Sequence, residues 1–98
     1  MKYIDELIEK VDDELEGAME YAEQYIIYKA MGNHTRASQF REMAMQELNH
    51  ATILRDFSIQ DVDAVKKVHS LSEEEHQHWE KCLRRFNEKL SIIRNQLT

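Results

Sequence analysis

In 98 residues this chain has no proline and only two glycines, Gly17 and Gly32. These are the residues that most often interrupt helices and shape the tight turns of β architectures, so a chain nearly free of both has few places to turn. Glu, Lys, Leu, Met, Gln and Ala, all good helix formers, are abundant in the rest. The expected class is all-α, and the length suits a single domain over residues 1–98.

The strong break in the first half is Met31-Gly32-Asn33-His34-Thr35, with Gly32 suited to the residue just past a helix end and Asn33 or Thr35 to an N-cap. Helices are predicted over about 3–31 and 36–57. Two later stretches, Ser58-Ile59-Gln60-Asp61 and Ser70-Leu71-Ser72-Glu73-Glu74-Glu75, read as capping starts. They predict a short helix over 59–69 that caps the bundle, then a long helix over 73–97. The short link at Gly32 makes the first two helices an antiparallel pair. Helices of this length cannot enclose a thick core in so short a chain, so a homo-oligomer, a dimer or larger, is expected to cover the remaining apolar surface.

Hydrophobic residues at 42% beside charged residues at 33% fit a soluble folded chain. Nineteen acids against thirteen bases give a net charge of −6, which disfavours nucleic acid and anionic membrane surfaces as partners. The first residues, MKYIDELIEK, lack an apolar segment of signal-peptide length. Cys82 is the one cysteine, which excludes an intramolecular disulfide and a thiolate zinc cluster; a cytoplasmic location is the expectation.

The acids divide by helix face. The first helix carries an apolar stripe of Ile4, Leu7, Ile8, Val11, Leu15, Ala18, Met19, Ala22, Tyr25 and Ile26, while Asp5, Glu9, Asp12, Asp13, Glu16, Glu20 and Glu23 form an opposite, solvated side. Glu14 departs from them and points toward the bundle. On the second helix Ala37, Phe40, Met43, Ala44, Leu48, Ala51 and Leu54 share a face whose mean direction passes within about 20° of Glu47, with His50 beside it. A carboxylate among apolar residues needs a cation, a hydrogen-bond network or a proton. Spacing i, i+3 lets Glu47 and His50 reach one metal ion from adjacent turns. Three Glu-x-x-His pairs occur in the chain, so face rather than spacing singles this one out.

Glu16 is closer to His50 in height than Glu14, yet faces away, so Glu14 is the partner chosen. On the last helix Trp79, Cys82, Leu83, Phe86, Leu90, Ile93 and Leu97 form the stripe, and Glu75 falls on the same line. A break at Ser70–Ser72 places Glu75 and His78 near the level of Leu54 and Ala51, within reach of His50; one helix unbroken from Ile59 would make His69 the level residue instead. The candidate metal ligands are therefore Glu14, Glu47, His50, Glu75 and His78. Tyr21, Tyr25, Tyr28 and Cys82 read as packing residues.

One Glu on the first helix, Glu-x-x-His on the second and another carboxylate later resemble the ferritin-like superfamily. The stretch Glu14–Ala51, with Tyr21 seven residues on, Gly32 at the turn and Phe40 leading to Glu47-Leu48-Asn49-His50-Ala51, is similar to the first helical hairpin of rubrerythrin-type and encapsulated-ferritin-type sequences. The resemblance implies a four-helix bundle and a di-iron centre with Glu14, Glu47 and His50 as ligands. It carries no ligand past Phe57, and a second Glu plus Glu-x-x-His half is missing from its usual place. It implies completion across a two-fold by a second copy, as in encapsulated ferritins; Glu75 and His78 would complete the site within the chain. The C-terminal Ser91–Thr98 continues a helix and is unlike an encapsulin-targeting tail.

The implied function is ferroxidase chemistry or iron and peroxide handling, with oxygen or peroxide as small-molecule substrate; Zn(II) and Mn(II) also suit the donors. Two other classes use the same residues: a non-enzymatic helical oligomerisation module whose inward acids pair with Lys29, Arg36 or Arg55, and a zinc-bridged assembly without redox turnover.

Overall fold

Three helices, α1 (Lys2–Ala30), α2 (His34–Val68) and α3 (Glu73–Gln96), make up residues 2–98, the part of the chain that the computed structural model describes. There is no strand among the described residues, and the all-α class stands.

α1 stops at the predicted glycine. Gly32 has φ +77, where a Cβ would be strained, and the chain closes a Schellman motif there. The Asn33 N–H donates to the Tyr28 carbonyl at 2.9 Å and the Gly32 N–H to the Lys29 carbonyl at 3.1 Å. Asn33 also starts the next helix, its side-chain Oδ1 accepting from the Arg36 N–H at 3.1 Å. One residue thus ends α1 and caps α2, which makes the pair antiparallel.

The second helix does not end at Phe57, and no separate helix forms over 59–69: α2 runs unbroken for 35 residues. The sequence signal that misled is Ser58. Its hydroxyl is fully buried and donates back to the Leu54 carbonyl at 2.9 Å, so it is satisfied inside the helix rather than capping a new one. Ser58 and Val62 continue the buried face of Ala44, Leu48 and Ala51, and packing carries the helix through. The real break is the later one. Ser72 and Glu75 form a reciprocal capping box, each backbone N–H donating to the other's side chain at 3.1 Å.

This later turn sets the register of α3. Arg55 donates to the Asn87 side chain at 3.0 Å, and Arg41 Nε donates to the Leu97 carbonyl at 2.8 Å, capping the end of α3. Helix α3 therefore runs antiparallel to α2 and parallel to α1, where Arg85 Nη2 donates to both Asp12 oxygens at 2.9 and 3.2 Å. Asp12 is thus no part of the solvated side; it ties α1 to α3.

Ala18 and Ala22 of α1 and Ala44 and Ala51 of α2 are wholly inaccessible, and their small side chains let the two helices pack closely. Val11, Leu15, Leu48 and Val62 fill the space toward α3, which contributes Trp79, Cys82, Phe86, Leu90 and Ile93. The result is a rod of 54 × 18 × 17 Å with a radius of gyration of 16.1 Å, against about 13 Å for a compact domain of this size. Asp12, which meets α3, and Glu14 stand about 160° apart around α1. The side of the α1–α2 pair away from α3 is therefore uncovered.

Candidate metal centre

On that uncovered side α1 supplies Glu14, and α2 supplies Glu47 and His50 from adjacent turns. One ligand atom from each of the three lies within 4.8 Å of the others. Glu14 Oε2 is 3.7 Å from His50 Nδ1, with side chains 29% and 59% exposed, so the cluster opens to solvent through the histidine. Glu47 is half-buried between them.

Glu47 holds its proton above the ordinary carboxylate range. A hydrogen bond with Glu14 is the main cause, followed by burial and the Glu14 negative charge, while the nearby His50 acts in the opposite sense. Two carboxylates sharing a proton are what remains when like charges are brought together without a cation. Among the described residues no lysine or arginine pairs with Glu14 or Glu47. The three cations that could have neutralised them are engaged elsewhere: Lys29 on the Tyr25 hydroxyl, Arg36 over the Tyr28 ring and Arg55 on Asp56 and Asn87. Two carboxylates and one imidazole form an N/O donor set suited to Fe(II), Mn(II) or Zn(II), and three donors leave coordination positions open.

Gly17 is the residue here that pattern reading passes over. It lies one turn beyond Glu14, and a Cβ built on it would sit 3.1 Å from Glu47 Oε2. A glycine inside a helix costs about 1 kcal/mol relative to alanine, so one in the middle of a 29-residue helix is itself a signal that something approaches the backbone closely. Tyr21 and Tyr28 flank Phe40 nearby, with ring centroids 6.1 and 5.5 Å away, and Tyr25 is buried in the core, so all three tyrosines serve as packing.

Glu75 and His78 do not join the trio. Because α2 continues to Val68, the level of Leu54 and Ala51 is met near Asn87, and Glu75 stands about 18 Å further along the rod. Its carboxylate is taken by the capping box, whose hydrogen bonds from Ser72 lower its pKa. His78 is exposed, its Nε2 3.8 Å from Cys82 Sγ, and lines a cleft with Ile4, Ile8 and Trp79. Of the other histidines, His76 pairs with Glu80 at 3.1 Å, while His34 and His69 are exposed at the ends of α2. The face assignment of Glu16 is as expected: it is exposed and away from the cluster.

The metal-free protein should show the shared proton in its pH response. A carboxyl whose folded pKa lies above its unfolded value contributes stability that is fully present below the ordinary carboxylate range and is lost as pH rises through the folded value. Glu47→Gln should remove that loss and raise the neutral-pH unfolding midpoint of the metal-free protein. Urea titrations of both proteins from about pH 4 to about pH 8 check this; parallel pH profiles would contradict it.

No protein-family model matches the chain, and no curated protein or solved structure matches it at a significant level. None of the helices among the described residues is long and apolar enough to cross a membrane.

Proposed function

We propose that this is an iron-binding, ferritin-like protein in which Glu14, Glu47 and His50 form half of a carboxylate–histidine di-metal site, completed by a second copy of the chain. The observation that carries the reading is the convergence of two carboxylates and an imidazole within 4.8 Å with no lysine or arginine among them. A purely structural role for the acids through Lys29, Arg36 or Arg55 has no support, since those side chains have other partners.

The surroundings favour a second copy. Phe40, Met43, Glu47, His50, Leu54 and Phe57 follow one another at alternating spacings of three and four along α2, the pattern of a helix that packs against a partner. Met43 is 38% and Phe57 50% exposed at either end of this seam, with the ligands between them. Two such seams related by a two-fold would bury the apolar ends and bring together four carboxylates and two imidazoles.

A pair of Fe(II) ions held there would supply electrons to oxygen or peroxide. The chain's part is to hold and orient: Glu14 and Glu47 provide negative oxygens, and His50 provides a neutral nitrogen at the solvent edge. Glu47 gives up its proton when a cation replaces it.

The test is metal content by mass spectrometry on protein purified without a His tag, then Fe(II) plus oxygen followed in the near ultraviolet, with sedimentation alongside. Bound iron, oxidation above buffer and a dimer or larger are expected. Retained zinc without oxidation would instead indicate a zinc-bridged assembly, and no bound transition metal with no oxidation would overturn the reading.

A further inference from the structure

Gly17 needs an explanation that backbone conformation does not supply. The one glycine with positive φ among the described residues is Gly32, so Gly17 sits in ordinary helical geometry that alanine would adopt more readily. What distinguishes it is its neighbour across the helix pair. A Cβ at Gly17 would meet Glu47 Oε2 at 3.1 Å, Cδ at 3.5 Å and Cγ at 3.7 Å, so the last three heavy positions of that side chain lie along the bare backbone of α1. The contact at 3.1 Å is tighter than a Cβ ordinarily makes, while the other two are normal packing distances. The crowding therefore falls on the carboxylate itself.

We infer that Gly17 is a positioning residue for the metal site: its missing side chain seats the Glu47 carboxylate against α1, beside Glu14, where both can reach one ion. The inference rests on the proposed metal-binding reading. Glu47 comes from α2 and Glu14 from α1, so their separation is set by how closely the Glu47 chain can lie on α1 rather than by either helix alone. A methyl group at position 17 would displace the carboxylate by a few tenths of an ångström, toward the solvent edge. Since Glu47 has a flexible end, the fold would absorb this readily and the ligand geometry would not.

Stability and metal affinity should consequently move in opposite directions, which a merely structural glycine would not produce. With Co(II) as a spectroscopic probe, Gly17→Ala should bind roughly tenfold more weakly, while the metal-free protein melts a few °C higher. Glu47→Asp, which retracts the carboxylate by one methylene, supplies a second background. There Gly17→Ala should cost much less affinity, because the crowded oxygen has been withdrawn. Equal Co(II) affinities for wild type and Gly17→Ala would overturn the positioning role and leave the metal site standing. Equal losses in both backgrounds would also overturn it. A wild-type protein that binds neither Co(II) nor Fe(II) would overturn the site reading and the inference together.

Discussion

Replacing Glu47 by alanine is expected to remove divalent-metal binding while leaving the helical far-ultraviolet signal unchanged. Glu47 is the centre of the cluster: it shares a proton with Glu14, lies against Gly17 and stands one turn from His50 on the same helix. Without it two donors remain, one of them 59% exposed, and a loss of at least about 100-fold in affinity follows. The fold should not suffer, because the change removes one of two neighbouring carboxylates that repel each other in the metal-free protein. Glu14→Ala and His50→Ala should act in the same direction, whereas Glu16→Ala and Glu20→Ala, on the exposed side of α1, should leave affinity unchanged. Metal titration of the five variants reads this out. If Glu16→Ala weakened binding as much as Glu14→Ala, the assignment of the site to the uncovered side of the helix pair would fail.

The other large effect is on the opposite side of the molecule. Phe86 is fully buried on α3, among the largest side chains with no solvent access, and Arg85 lies over its ring at 5.3 Å. Phe86→Ala should destabilise by about 3–5 kcal/mol, through lost transfer free energy and the cavity left behind. A chain of this length has about 5–15 kcal/mol in all, so the loss is a large share, seen as a urea midpoint lower by about 1–2 M. Ile92, on the same helix but 56% exposed, sets the contrast: Ile92→Ala should stay within about 0.5 kcal/mol. Because α3 contributes nothing to the metal trio, Phe86→Ala under conditions where it is folded should keep wild-type affinity. Such a result separates the helix that stabilises the rod from the pair that carries the site.

The stripes read from the sequence hold best where both neighbours are helices of this chain. On α3 all but Leu83 of the seven apolar positions are buried. On α2 the stripe mixed two faces. Ala37, Ala44, Leu48 and Ala51 are core, whereas Met43 is exposed and Phe40 and Leu54 are half-buried on the uncovered side. Averaging them drew the mean direction toward Glu47 and made it look like a core residue. It is in fact a seam residue at the edge of the core, which explains how a carboxylate is tolerated there.

Local chemistry alone specified the features that depend on a few adjacent residues. Gly32 followed by Asn33 can hardly do anything but end one helix and begin another, and Ser72 with Glu75 satisfies two otherwise unpaired N–H groups wherever that segment lies. Glu14, Glu47 and His50 were legible for a related reason: they hang from a single short turn, so their relative height and face follow from helical geometry. Tertiary structure decided the rest. A serine such as Ser58 has two outlets for its hydroxyl, capping a new helix or bonding back to its own, and burial against α1 and α3 selected the second. That choice moved the turn by about ten residues, shifted Glu75 and His78 away from the cluster, and gave Asp12 to Arg85. Whether Gly17 was idle or needed also depended on another helix, since nothing in α1 records that the Glu47 carboxylate lies across it. Contacts within a turn are set by the residues next to one another; contacts between helices are set by register, and register accumulates 1.5 Å for every residue by which a helix end is misplaced.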